Sequence, residues 1–178
     1  MTQELLERAW KEIGRFIWVF MSVELVLDQA IIMLFSLKSP AETLFLNSID
    51  MRKKIKVAQA ALTHQGRASG VAAVKQLHDI HDLRNKIAHK TFLPTAEAGA
   101  EGILFSWSTV DGKIAHKRDF HSFEDLERQI QKLRDISDVL VEVEKTRKPL
   151  TDDDAVSAIR EMAETDATVI EFPRPPRS

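Results

Sequence analysis

Apolar positions recur at three- and four-residue spacing from the first turn of the chain. Leu5, Leu6, Ala9, Ile13, Phe16, Ile17 and Phe20 follow the helical repeat, and Thr2 stands where an N-cap belongs. They predict a first helix from Thr2 to about Leu37. Beyond Phe16 the apolar residues spread round most of the helix, so its second half is expected to be buried nearly all round. Ser39-Pro40-Ala41-Glu42 joins a cap, a proline suited to the first helical position and an acid that can close a capping box. It predicts a second helix from Pro40 to about His64, with a loop across 66–70. Val71, Val74, Leu77, Ile80, Leu83 and Ile87 form the core stripe of a third helix, which ends at His89 or Lys90.

The period then changes. Thr91-Phe92-Leu93-Pro94 stops the helix, and residues 94–102, with Pro94, Gly99 and Gly102, read as a loop. Ile103, Phe105, Trp107 and Thr109 alternate with smaller or polar residues. Ile114, His116, Arg118 and Phe120 do the same after Asp111-Gly112, which predicts a hairpin of two short antiparallel strands. Ser122 and Asp125 cap a fourth helix from about Phe123 to Lys145. Thr151 with Asp152, Asp153 and Asp154 opens a short fifth, because acids suit a helix N-terminus.

The fold class is therefore mainly all-α, an up-and-down bundle of four to five helices with a β-hairpin inserted between the third and fourth. Residues 1–148 form the helical domain, with the insert at about 103–120. Residues 149–170 form a short C-terminal helix, and the proline-containing stretch 171–178 a disordered tail.

Composition narrows the chemistry. The 178 residues are 44% hydrophobic, enough for a real core, and contain no cysteine. Thiolate zinc sites, iron–sulfur clusters, disulfides and cysteine nucleophiles are excluded, and a cytoplasmic location suits the chain. Glu24 and Asp28 interrupt the apolar stretch from Phe16 to Leu37, so it reads as a core helix and no membrane partner is expected. The acids near Thr2 do not resemble a secretory signal.

The formal net charge of −2 conceals an asymmetry. Residues 52–90 hold nine Lys/Arg against only Asp79 and Asp82, a net of +7, while both flanks are acidic. That field favours a polyanion, with Arg52, Lys53, Lys54, Lys86 and Lys90 as RNA-binding candidates.

The same stretch carries the chemistry. The third helix ends in His78, His81, Asp82, Arg84, Asn85 and His89. His81, Asn85 and His89 share a helix face, while Arg84 lies about 140° round from His89. Arginine offers a rigid donor fork to phosphate, and histidine exchanges protons near neutrality. Twelve arginines and six histidines give about 0.4 chance occurrences of Arg-x4-His, so the spacing alone is weak. Requiring Asn after the Arg and Ala before the His lowers this to roughly one in two thousand.

Arg84-Asn85-x-x-Ala88-His89 resembles the Arg-x4–6-His signature of HEPN domains, helical bundles in which the motif closes a later helix. The resemblance is strong over the motif and loose elsewhere. It implies a metal-independent endoribonuclease, without cofactor, whose two copies pair to form one composite site. His89 would then move protons at the 2′-hydroxyl or the leaving 5′-oxygen, Arg84 would hold the scissile phosphate, and Asn85 would orient either. Glu24, Asp28 and His81 would support that site from behind, with Arg84 the expected partner of one of the carboxylates. Roles in defence, toxin or stress biology follow by the same likeness. Some HEPN toxins are silenced through a tyrosine just after the His. Thr91 and Leu93 fill those positions here and the chain has no tyrosine, so any protein antitoxin or regulator would act otherwise. The alternative is a non-catalytic HEPN-like module that binds RNA, a nucleotide or a protein. His78-x-x-His81-Asp82 lacks a further cluster to complete a metal site, and none is expected. Trp10, Trp18 and Trp107 read as core or dimer-contact residues.

Overall fold

The computed structural model describes residues 2–97, 99–107, 117–146 and 149–165. Among them are six helices and one three-stranded antiparallel sheet. In chain order they are α1 Gln3–Leu34, α2 Pro40–Ser48, α3 Met51–His64, α4 Ala68–His89, β1 Thr91–Glu97, β2 Ala100–Trp107, β3 Lys117–Ser122, α5 Phe123–Lys145 and α6 Asp152–Thr165. The chain is thus mainly α, with the sheet inserted between α4 and α5.

The predicted caps form. Thr2 accepts from the Leu5 N–H, Ser39 and Glu42 close one capping box, and Ser122 and Asp125 close another. α4 begins at Ala68, inside the loop expected across 66–70, and two further boundaries differ from expectation for local reasons. α1 stops at Leu34, not about Leu37, because Ser36 takes a left-handed backbone (φ 54°). The Leu37 N–H then turns back to the Ile32 carbonyl at 2.9 Å and closes the helix end. The predicted helix from Pro40 to His64 is two helices. Ile49 and Asp50 are both extended, and the Asp50 carboxylate accepts from the Lys53 N–H at 3.1 Å, capping a new start. α3 ends at His64, and Gly66 two residues on has a φ of +67°, which favours glycine.

The sheet corrects a second expectation. Thr91–Glu97 is a strand, not a helix stop followed by a loop, and pairs with β2 from Thr91↔Ser106 to Glu97↔Ala100. Pro94 is tolerated because β1 lies at the sheet's edge, in the order β1-β2-β3. β2 and β3 pair as the predicted hairpin does, from Gly102↔Ser122 to Trp107↔Lys117. Its Asp111-Gly112 turn, with Thr109, Ile114 and His116, falls outside the described residues, as does the tail 171–178. At Gly102 a Cβ would overlap the His121 carbonyl, so glycine is required there.

The core is built where α1 lies along α5, with α3 and α4 beside them and the sheet against α1 and α5. Phe16, Phe20, Leu27, Ile31, Leu77, Phe105, Leu126 and Ile130 are fully buried. Five of the six predicted stripe positions of α4 are buried, and Val71 is half-buried. α6 packs on α3.

α1 itself departs from expectation. It is long and apolar enough to cross a membrane by length and composition alone. Its inner face is core, but its second half is not buried all round. Trp18 (71% exposed), Met21 (57%) and Leu25 (67%) form an outward apolar stripe, and Trp10 is also exposed, edge-on to Phe92.

Candidate functional site

The polar end of α4 opens onto a cavity of about 430 Å³. Three elements line it. α4 supplies His81, Arg84 and Asn85. α1 supplies Phe20 and Glu24. The α2–α3 junction and first turn of α3 supply Asn47, Ile49, Asp50, Met51, Arg52 and Lys54.

Within it, Arg84 is half-buried. Its Nη1 donates to Asn85 Oδ1 at 3.2 Å, and its guanidinium lies 6.0 Å from the centre of the Phe20 ring. Among the described residues no carboxylate comes within ion-pair distance of it. The Asn85 amide nitrogen stands 3.4 Å and 3.3 Å from the two ring nitrogens of His81. Distances so nearly equal put that amide beside the ring rather than in line with either nitrogen. His81 is buried, 6.2 Å from the Phe20 ring centre to centre. Burial lowers its pKa below the ordinary histidine value, and the charges of Arg52 and Arg84 push the same way.

Arg52, Lys54 and Lys86 each meet a carboxylate within the fold. Arg52 donates to Asp82 at 2.7 Å, which holds that carboxyl below its usual value. Lys54 is not a surface residue: its ammonium is buried, 2.8 Å from Asp28 and 3.6 Å from Glu24. The expected partnership of those carboxylates with Arg84 is therefore replaced by one with Lys54. The reason is topological: α3 crosses α1 at this level and brings an ammonium to it. Burial raises the Asp28 pKa despite the Lys54 hydrogen bond, and Asp28 Oδ1 lacks a partner. Lys86 turns away to the sheet and binds Asp119. Burial works to raise the Asp119 pKa, but the Lys86 hydrogen bond and the His121 charge outweigh it and the net shift is downward. His121 Nε2 lies 3.2 Å from the same carboxylate, beside a smaller cavity of about 260 Å³.

The sequence motif is thus divided. Arg84, Asn85, His81, Glu24, Arg52 and Lys54 share one cavity, with Asp28 behind Lys54. His89 does not line it. It is exposed at the last residue of α4, one turn or about 6 Å of rise beyond Asn85 on the same face. Lys90 is exposed, and Lys53 is half-buried, 3.7 Å from Asp50. Sequence reasoning missed Asn47 and Asp50. The Asp50 cap was legible as an acid ahead of a basic first turn. Among the described residues no group of three or more His, Asp or Glu is gathered for a metal ion.

No family model matches the chain, and no curated protein and no solved structure matches it.

Proposed function

We propose that the chain is a HEPN-like, metal-independent endoribonuclease, an up-and-down bundle that works as a cytoplasmic homodimer in defence, toxin or stress biology. One observation carries the reading: Arg84 is a half-buried guanidinium in a polar cavity, and among the described residues no carboxylate pairs with it. An arginine in that condition is suited to a phosphate. In the reaction the RNA 2′-oxygen bonds to phosphorus as the bond to the 5′-oxygen breaks, leaving a 2′,3′-cyclic phosphate and a 5′-hydroxyl. Arg84 stabilises the added negative charge, and His89 moves a proton at the 2′- or 5′-oxygen.

The outward stripe of α1 supports the homodimer. Gly14, Trp18, Met21 and Leu25 are spaced four, three and four residues apart, the repeat of a helix–helix seam. All four are exposed. The stripe is self-complementary about a point between Val19 and Phe20: Gly14 of one copy would face Leu25 of the other, and Trp18 would face Met21. Phe20 and Glu24 line the cavity, so such an axis would bring the two cavities alongside each other.

Purified protein incubated with mixed RNA in excess EDTA tests the reading. Cleavage that disappears in both Arg84→Ala and His89→Ala is expected. Cleavage surviving in both, or absent from the wild type, overturns it. Light scattering should give a dimer at micromolar concentration, and Trp18→Glu a monomer. The second reading, a non-catalytic module that binds RNA, a nucleotide or a protein, is favoured by His89 lying outside the cavity. Gel shifts that need Lys53 but not His89 would support it.

A further inference from the structure

Burial biases His81 toward its neutral form. The groups that face it come from three elements: Glu24 on α1, Asp50, Arg52 and Lys54 around the start of α3, and His78, Asp82 and Arg84 on its own helix. Arg52 is offset by Asp82, and Lys54 by Asp28 and Glu24. Among the described residues Arg84 has no carboxylate within ion-pair distance. The carboxylates of Glu24, Asp28, Asp50 and Asp82 match Arg52, Lys53, Lys54 and Arg84 in number, so what stands beside the imidazole is a single guanidinium outside the ion pairs rather than a net positive field.

We propose that this cavity is a proton-coupled phosphate site, in which a phosphate ester sits against the Arg84 guanidinium and His81 takes up a proton as it binds. The guanidinium fork fits two phosphate oxygens, and the Asn85 amide stands between it and the imidazole. The Asn85 amide nitrogen is aligned with neither imidazole nitrogen, so a protonated ring can donate to a phosphate oxygen. Two forces favour the neutral ring, its burial and the positive charges of Arg52 and Arg84. A bound anion reverses the second. Linkage then makes the effect reciprocal: protonating His81 strengthens phosphate binding by the factor that phosphate strengthens proton binding. The inference rests on the reading above in one respect, that Arg84 is the phosphate ligand. The same chemistry would serve an RNA phosphodiester or a free phosphate monoester.

Calorimetric titration between pH 5 and 8 tests it with two probes. One is thymidylyl-thymidine, a phosphodiester that carries a constant single charge and has no 2′-hydroxyl to be cleaved. The other is inorganic phosphate. Dinucleotide affinity should rise as pH falls below about 6.5, by up to about tenfold per pH unit. Heats in buffers of different ionisation enthalpy should reveal net proton uptake. Arg84→Gln should abolish binding, and His81→Gln should bind without uptake and with a flat pH profile. The His81 ring-proton resonance of the wild type, followed by NMR, should titrate at higher pH with the ligand present, which keeps the test open should His81→Gln fail to fold. Binding without proton uptake, uptake that persists in His81→Gln, an unmoved resonance, or no binding of either probe overturns the proposal. Preference for the dinucleotide identifies a nucleic-acid chain as the source, and preference for phosphate a monoester. Proton-coupled binding in a protein that cleaves no RNA overturns the ribonuclease reading alone. Cleavage dependent on Arg84 and His89 without proton uptake overturns this inference alone.

Discussion

Two cations on the last turns of α4 end in opposite conditions. Lys86 points to the sheet, where Asp119 of β3 takes its charge and His121 shares the same carboxylate. Arg84, two residues earlier, points into the cavity and finds an amide and an aromatic ring but, among the described residues, no acid. The first is part of how the sheet is held against the bundle. The second is left over after the fold has satisfied its neighbours. A basic stretch is therefore not one functional surface. Arg52, Lys53, Lys54 and Lys86 meet carboxylates within the fold, and function is to be sought where a cavity holds a cation that, among the described residues, meets none.

Substitutions can break this distinction or sharpen it. Lys54 marks the structural extreme, because its ammonium is buried against Asp28 and Glu24. Lys54→Ala should destabilise the protein by about 3 kcal/mol or more, since two poorly solvated carboxylates lose their counter-ion. Urea unfolding reads this directly, and a loss below about 1 kcal/mol would place Lys54 with the idle surface charges. Arg84 marks the other extreme. Arg84→Gln should lower RNA cleavage by about 10² or more, while stability stays within about 0.5 kcal/mol. A stability loss matching that of Lys54→Ala would erase the contrast.

Asp119→Asn tests the sheet side. Both partners are about one-third exposed, so solvent screening limits the cost to about 1 kcal/mol, with cleavage unchanged. The smallest effect concerns pH. The folded pKa of His81 is lowered, so its contribution to stability is full above the unfolded value of about 6.5. That contribution is lost as pH falls from there through the folded pKa. Thermal melts of the wild type should decline over that window in the absence of phosphate, and those of His81→Gln should decline less.

Much of the fold could be read from the chain because its signals are local. The caps at Thr2, Ser39 and Ser122 act within four residues, and the three–four stripe of α4 depends only on helical geometry. Where two local signals competed, the reading failed. The carboxylate of Asp50 restarted a helix that periodicity alone carried through. Pro94 and the glycines near it suggested a loop, yet an edge strand accepts a proline, and which strand is at the edge is decided by pairing. The apolar second half of α1 looked uniformly buried because composition does not say how many neighbours a helix will find.

The candidate site divides in the same way. The sequence by itself determined that Arg84, Asn85 and His81 lie within four residues on one helix, and that this helix crosses the most basic third of the chain. Only the tertiary structure decided which of those charges stay available. Lys54 meets Asp28 from 26 residues away, Arg52 meets Asp82 from 30 and Lys86 meets Asp119 from 33. Helical geometry sets a side chain's direction from its own neighbours, but a charge is neutralised by whatever the fold brings opposite it. For Arg84, among the described residues, it brought a cavity and no carboxylate.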